Sequence, residues 1–295
     1  MGVWGHGGLD RFGRGLGVPF SRCGALLVTY DEESLPRLRQ KWEQGRKNGV
    51  PGLKLLTGPE AQAMEPMLKS GVKGALYAPT TGTVNPWQLG IAAFENAVDN
   101  GLIPMLNTTV TGMEKSETGY LLKTTGEAVS CKAVLNCAGL YADRVQALLF
   151  PPSVRLQWDG AEFLVLDELA PRPRHILFHQ AQSCGKGITA IPCVEGNLLL
   201  SGVRKPISTP FATTPEGLRE LEADAKALLP TLDMNQIIRP FAAVRPNPYR
   251  GNGESLHDFC MEHPAPGFYS LIGIKTPGLT CANELGLYLA AHTAA

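Results

Sequence analysis

The sequence has no excess of charge: 27 lysines and arginines balance 27 aspartates and glutamates over 295 residues. A broadly basic face for nucleic acid or for an acidic membrane surface is therefore not expected, and any charge selectivity has to be local. Cysteine is present but unpatterned. The seven cysteines (Cys23, Cys131, Cys137, Cys184, Cys193, Cys260 and Cys281) are odd in number and include no CxxC pair. That argues against both a disulfide framework and a zinc site, and a reducing, cytoplasmic setting fits instead. Long apolar runs are missing too: no stretch reaches the roughly 18 residues of a membrane span. The glycine-rich start from Met1 to Phe12 contains no apolar segment of signal-peptide length. The chain reads as soluble, or at most peripheral to a membrane, and without a secretory signal the sequon at Asn107 is expected to be unused. Repeats and low-complexity tracts are absent as well.

What is present is an alternation of short β patterns and helices. Gly24 to Tyr30 reads as a strand and Glu32 to Gly45 as a charged helix; Lys54 to Leu56 is a short strand, and Gly58-Pro59-Glu60 opens a helix that ends at Glu65-Pro66. Gly74 to Tyr77 is a strand. Asn85 then caps a helix whose first residue is Pro86 and which stops at Asn100-Gly101. Four short β segments follow, Leu102 to Leu106, Thr109 to Lys115, Tyr120 to Thr124 and Ala133 to Asn136. From Arg155 to Arg204 the pattern is that of an antiparallel sheet. Pro215 to Leu229 is an amphipathic helix, Ile237 to Val244 a strand, and Phe268 to Ile274 a last strand leading into a helix from about Leu279 to Ala291. This order, α/β then antiparallel then a final β–α, predicts two interleaved domains.

Several motifs occur in a fixed order: Glu65-Pro66, then Gly74-Ala75-Leu76-Tyr77-Ala78-Pro79 with Gly82 and Asn85-Pro86, then Leu135-Asn136-Cys137-Ala138-Gly139-Leu140-Tyr141-Ala142-Asp143. They continue with Gly185-Lys186-Gly187, Pro192, Gly196-Asn197-Leu198-Leu199, Val244-Arg245-Pro246 and Gly273-Ile274-Lys275-Thr276-Pro277-Gly278-Leu279-Thr280. Together they resemble the D-amino-acid-oxidase-type FAD-dependent oxidoreductases, in the branch of glycerol-3-phosphate and L-2-hydroxyglutarate dehydrogenases. The resemblance implies α/β plus α+β architecture, with a truncated, Rossmann-like FAD-binding layer interleaved with an antiparallel-sheet substrate domain. The expected divisions are 1–73 and 151–268 for the substrate domain, 74–150 for the middle of the FAD-binding domain, and 269–295 for its last strand and helix.

One departure stands out. The family opens with a strand–GxGxxG–helix unit that holds the pyrophosphate at a helix amino terminus, and this sequence has none. Gly5-His6-Gly7-Gly8 has the wrong spacing and no strand before it, so it reads as an ordinary glycine-rich terminus or loop.

Candidate site residues follow. The Gly273 to Thr280 stretch delivers a strand into a helix, and the backbone N–H groups of Gly278, Leu279 and Thr280 at the helix start would stabilise negative charge. By resemblance, this turn, with Gly273 and Pro277, faces the N1 and C2=O edge of a reduced flavin; a capped helix without a ligand is the structural alternative. Ala138 and Gly139 end a strand where glycine permits close backbone approach. The family places that turn near the ribityl or pyrophosphate portion of FAD. The Val110 backbone stands where the family meets the adenine, although a buried strand valine explains it equally well.

Arg245 can grip a carboxylate or phosphate at two points, and the resemblance makes it the anion anchor; a surface ion pair is the alternative. Lys275 resembles the lysine of a Gly-Gly-Lys turn and would be a second phosphate contact, unless it is simply exposed. His175 and His179 lie on a β segment and do not form a helical metal pair, and His257 reads as an exposed loop residue. No metal site and no general base is assignable.

The implied activity is oxidation of a small anionic secondary alcohol, glycerol 3-phosphate favoured, with hydride passing to flavin and then to a quinone or protein acceptor. Oxidation of an L-2-hydroxy acid or an amino acid on the same fold is the alternative activity. A non-catalytic fragment that binds no FAD is a different class of reading, and a phosphate-binding unit supplied in trans is a third.

Overall fold

The computed structural model describes residues 2–168, 172–180, 186–202, 205–206 and 211–293, with side chains from Gly8 onward except at 180, 186, 205 and 206. Gly185, part of one of the family-like motifs, lies outside the described residues. In chain order the elements are α1 (Gly2–Gly15), β1 (Phe20–Ser21), β2 (Ala25–Thr29), α2 (Leu35–Lys47), β3 (Lys54–Thr57), α3 (Gly58–Met64), β4 (Gly74–Ala78), β5 (Thr83–Val84) and α4 (Pro86–Asp99). They continue with β6 (Val110–Ser116), β7 (Gly119–Thr124), β8 (Val129–Cys131), β9 (Val134–Asn136), α5 (Ala142–Gln146), β10 (Val154–Leu166), β11 (Ile176–Gln180), β12 (Lys186–Pro192), β13 (Leu198–Ser201) and β14 (Lys205–Pro206). The chain ends with α6 (Pro215–Leu228), β15 (Ile237–Arg250), β16 (Cys260–Ala265), β17 (Phe268–Ile272) and α7 (Gly278–Thr293).

Two compact units emerge, one of Met1–Leu9, Phe94–Asp159 and Val244–Ala295, the other of Asp10–Ala93 and Gly160–Ala243. The sequence divisions fell at 73, 150 and 268 instead. The difference has a plain cause: β4 is hydrogen-bonded between β2 and β3, so residues 74–78 go with the second unit. At the other end, β15 runs on to Arg250 and carries residues 244–250 into the first unit.

The second unit is built on a sheet in the order β14-β10-β13-β12-β11-β2-β4-β3, with β15 pairing β10. Its segments from β10 to β13 are joined antiparallel, as the pattern from Arg155 onward predicts, while β11 lies parallel to β2 in the register Ile176↔Ala25. The alternating strands give one face of Leu26, Val28, Leu164, Leu177, Ile188 and Leu200 to a continuous core. Helix α6 covers part of it with Leu221, Ala225 and Leu228, one face at helical spacing. Thr214 caps that helix, its Oγ1 accepting from the Gly217 N–H at 3.1 Å, and Pro215 occupies the first turn. The edge of His179 meets Tyr30 in a T-shaped contact, and His175 accepts a comparable contact from Tyr77 while lying 3.3 Å from Glu65 Oε2.

The first unit holds the sheets β16-β17-β9 and β6-β7-β8. Fully buried Phe268 joins Met113, Tyr120 and Val134 in one cluster, with Phe150 and Tyr120 edge-on to its ring. The Tyr120 hydroxyl donates to Pro266 O at 2.6 Å, which satisfies the polar end of a buried ring. A second cluster gathers Ala142, Val154 and Ile272.

One local expectation fails. Leu102 to Leu106 is not a strand: the Leu102 N–H closes the end of α4 on Ala97 O, Pro104 has no N–H to give, and Ile103 is 83% exposed. A β-rich segment without a partner strand has nowhere to send its hydrogen bonds. The glycine-rich start lies within α1, so Gly5 to Gly8 occupy a helix and not a strand-to-helix phosphate turn. Among the described residues no helix is long and apolar enough to cross a membrane, and no cluster of His, Cys, Asp and Glu could hold a metal ion.

Burial holds the His179 imidazole below its ordinary pKa of 6.5, with Asp224 opposing. The unfolded chain therefore takes up this proton at a higher pH than the folded one. The neutral ring's contribution to stability is full above about pH 6.5 and is lost as pH falls through the lower folded-state value. Urea unfolding between about pH 7 and pH 5 should show a shallower loss of stability for His179→Gln than for the parent, whereas equal slopes would refute the assignment. In the same core, Leu177→Ala is expected to cost about 2–5 kcal/mol, read from the urea midpoint.

Candidate active site

Strands β9 and β17 run parallel, with Asn136 opposite Ser270, so both deliver their following turns to the same end of their sheet. Ligands of open α/β sheets characteristically sit beyond such carboxyl ends. After β9 comes Cys137-Ala138-Gly139, and after β17 comes the stretch from Gly273 to Gly278.

The first turn is held by the buried Asn136 side chain. Its Nδ2 donates to Ala142 O at 2.7 Å and to Ser270 Oγ at 2.9 Å, and its Oδ1 accepts from the Ala138 N–H at 3.3 Å. Ala138 packs against Ile272 and Ala142, whereas Gly139 adopts φ 57° with open space where a side chain would stand. One residue of α5, Asp143, is buried and accepts from the Leu156 N–H at 3.1 Å.

The second turn is tighter. Gly273 has φ 67°, and a Cβ there would lie 2.7 Å from Pro248 Cγ on β15. Lys275 is only 9% exposed and donates from Nζ to Leu256 O at 2.7 Å; the Leu256 N–H in turn donates to Pro248 O at 2.9 Å. Lys275 is thus buried rather than exposed, and it ties the turn to the loop after β15. At the start of α7 the Gly278 N–H is already used, donating to Lys275 O at 2.5 Å, so it is not a free donor. The N–H groups of Leu279 and Thr280 have no acceptor among the described hydrogen bonds. Pro277 contributes no N–H, and its carbonyl accepts from Cys281.

Arg245 is half-buried on β15, three residues before Pro248. Burial pulls its guanidinium below the ordinary arginine range, with the Asp159 charge opposing. Its Nε donates to Asn247 Oδ1 at 3.1 Å, and Asn247 Nδ2 donates to Asp159 Oδ2 at 2.7 Å.

Pro248 and Leu256 thus tie Gly273 and Lys275 to the end of β15, the strand that also carries Arg245, while Ala138 packs on the cluster of Ala142, Val154 and Ile272. Val110 is not part of this group: it packs on the cluster of Met113, Tyr120 and Phe268 that also holds Val134, the first residue of β9. His257 is an exposed residue of the loop after β15. A surface cavity of about 340 Å³ lined by Trp42, Glu43, Arg46 and Lys47 belongs to α2 in the other unit and contains none of these residues.

Sequence reasoning passed over Asn136, Asn247 and Asp159. Asn247 was within reach of it, since residues two apart on a strand share a face. Asp159 lies 88 positions from its partner and leaves no local signal.

The model for FAD dependent oxidoreductases matches residues 4–292. The chain belongs to this FAD-dependent oxidoreductase family. A glycerol 3-phosphate dehydrogenase of Caloramator mitchellensis is 34% identical over 285 residues, covering 95% of this chain and 58% of that protein. The human mitochondrial L-2-hydroxyglutarate dehydrogenase is 31% identical over 144 residues, 45% of this chain and 31% of that protein. The chain thus spans about a third to somewhat over half of the length of these relatives. In fold it resembles the FAD-bound L-alpha-glycerophosphate oxidase of Mycoplasma pneumoniae, with TM-score 0.84, 23% identity and coverage of 94% of this chain and 74% of that one. Family membership makes FAD the cofactor to test against this site. The donor set suits the ring end of a flavin: two backbone amides at a helix amino terminus with no acceptor among the described hydrogen bonds, for an electron-rich edge, and an unfilled glycine at the neighbouring turn. For the pyrophosphate the sequence offers no strand–GxGxxG–helix unit.

The crowding at Gly273 generates a prediction. Gly273→Ala should destabilise the protein by roughly 1–3 kcal/mol, through the left-handed backbone and the collision with Pro248. Adding Pro248→Ala should recover part of that loss in thermal unfolding, and no recovery would show that Pro248 is not the constraint.

Proposed function

We propose that the protein oxidises a small secondary alcohol bearing an anionic group, glycerol 3-phosphate above all, as an FAD-dependent dehydrogenase. The observation that carries the reading is the junction at Pro248, which sets an arginine-bearing strand against the turn that opens α7. Bound FAD supplies the hydride acceptor. The Leu279 and Thr280 amides, aided by the dipole of a 16-residue helix, would stabilise negative charge at the ring edge they face. The Ala138-Gly139 turn would allow close backbone approach of the ribityl chain.

Arg245 fixes the substrate anion by charge-assisted hydrogen bonds, so that the carbinol carbon is held in one orientation and positioning does much of the work. Lys275 already donates to Leu256 O, and its proposed role as a second phosphate contact would use another of the three ammonium protons. A quinone or another protein is the proposed electron acceptor. A reducing, cytoplasmic setting is proposed on the strength of six cysteines that are all unpaired among the described residues. The similarity to an L-2-hydroxyglutarate dehydrogenase supports a 2-hydroxy acid as the second reading, since a carboxylate meets a guanidinium fork in the same two-point way.

Two titrations test this on the full chain. FAD added to the purified protein should be bound, with quenching of flavin fluorescence. Glycerol 3-phosphate should bind calorimetrically with a Kd that rises about 10–100-fold in Arg245→Ala, as expected for losing hydrogen bonds to a charged group. Absence of flavin binding, or an Arg245→Ala variant with unchanged affinity, would contradict the reading.

A further inference from the structure

Resting on the reading of Arg245 as anion anchor, we infer that Asn247 and Asp159 are positioning residues that hold the Arg245 guanidinium by its Nε and leave its two terminal nitrogens to the substrate anion. The hydrogen-bond chemistry determines how the chain of three must be oriented. A guanidinium only donates and a carboxylate only accepts, so the amide between them has to turn its oxygen to Arg245 and its nitrogen to Asp159. The observed bonds, Arg245 Nε to Asn247 Oδ1 at 3.1 Å and Asn247 Nδ2 to Asp159 Oδ2 at 2.7 Å, obey that requirement.

Interposing a neutral amide matters. A carboxylate in direct contact would occupy the fork of the guanidinium with a two-point ion pair and neutralise it. Here the group in contact is uncharged, and Arg245 makes no other hydrogen bond among the described residues. Four of its five N–H groups, all on the terminal nitrogens, are left for an oxyanion, and the positive charge remains uncompensated at contact distance. Asp159 still acts from behind: it fixes the amide, and its charge offsets the burial that pulls the Arg245 guanidinium down.

The rigidity follows from burial. Asn247 is only 8% exposed and lies on the same strand face as Arg245, two residues away, while Asp159 stands on β10 at a sequence distance of 88. Losing Asn247 would let the arginine side chain sample other rotamers and would strand the Asp159 carboxylate, which could then capture the guanidinium directly.

The test is calorimetric binding of glycerol 3-phosphate to the full chain, with the nitrogen NMR resonance of Arg245 Nε as a second readout. Asn247→Ala and Asp159→Ala should each raise Kd about five- to tenfold, and Asn247→Ala should remove the protection of the Arg245 Nε proton from exchange with solvent. Asp159→Asn keeps an acceptor for the amide and should stay within about twofold of the parent. Combining Asn247→Ala with Arg245→Ala should bind no worse than Arg245→Ala alone, because a positioning residue has nothing left to position; additive losses would show an independent structural role. Unchanged affinity in both Asn247→Ala and Asp159→Ala, with Arg245→Ala still weakened, overturns the positioning inference and leaves the anchor standing. Unchanged affinity in Arg245→Ala removes the anchor itself. If Asn247→Ala does not fold, Asp159→Ala and the Arg245 resonance in Asp159→Asn carry the test: an Arg245 Nε proton that exchanges freely in the parent overturns the inference.

Discussion

Pro248 leaves no room for a side chain at residue 273. That contact, with the left-handed backbone it accompanies, fixes where the chain leaves β17 and hence where α7 begins. Everything the site can do depends on it. With the turn pressed against β15, Lys275 reaches the Leu256 carbonyl and Leu256 returns a hydrogen bond to Pro248. A glycine is required at 273 on both steric and backbone grounds, whereas Gly278, the other glycine of the turn, is crowded by Ile274 but has no left-handed backbone.

The electrostatics of this junction are economical. Two backbone amides at a helix start, without an acceptor among the described hydrogen bonds, and one arginine present positive character, while the Asp159 carboxylate is kept one amide away from the guanidinium. Such an arrangement suits an anionic substrate beside an electron-rich ring, because neither positive group has to break an ion pair in order to bind. The chain carries no net charge, so on the proposed reading selectivity for an anion would rest on this local asymmetry.

Much of the scaffold was legible in the sequence because its signals are local. Gly58-Pro59-Glu60, Pro86 after Asn85, and Pro215 mark helix starts, and the structure adds caps from Thr57, Asn85 and Thr214 made within three residues. The strand-to-helix passage from Phe268 into α7 was readable for the same reason. What could not be read depends on partners far along the chain. The parallel pairing of β11 with β2 joins segments some 150 residues apart, and β16 is a strand because β17 returns beside it. Leu102 to Leu106 shows the converse: it has the residues of a strand and no strand to join. At the site, the Gly278 amide was misjudged as a free donor because it closes a turn onto Lys275 O, three residues back, where the strand-to-helix pattern showed only a helix start.

The most direct measurement is a crystal structure of the full chain grown with FAD and glycerol 3-phosphate. The isoalloxazine edge should lie within hydrogen-bond distance, about 3 Å, of the Leu279 or Thr280 amide, and the phosphate on the terminal nitrogens of Arg245 with Asn247 still on its Nε. A flavin or a phosphate bound elsewhere, with the start of α7 and Arg245 both left in solvent, would contradict that placement.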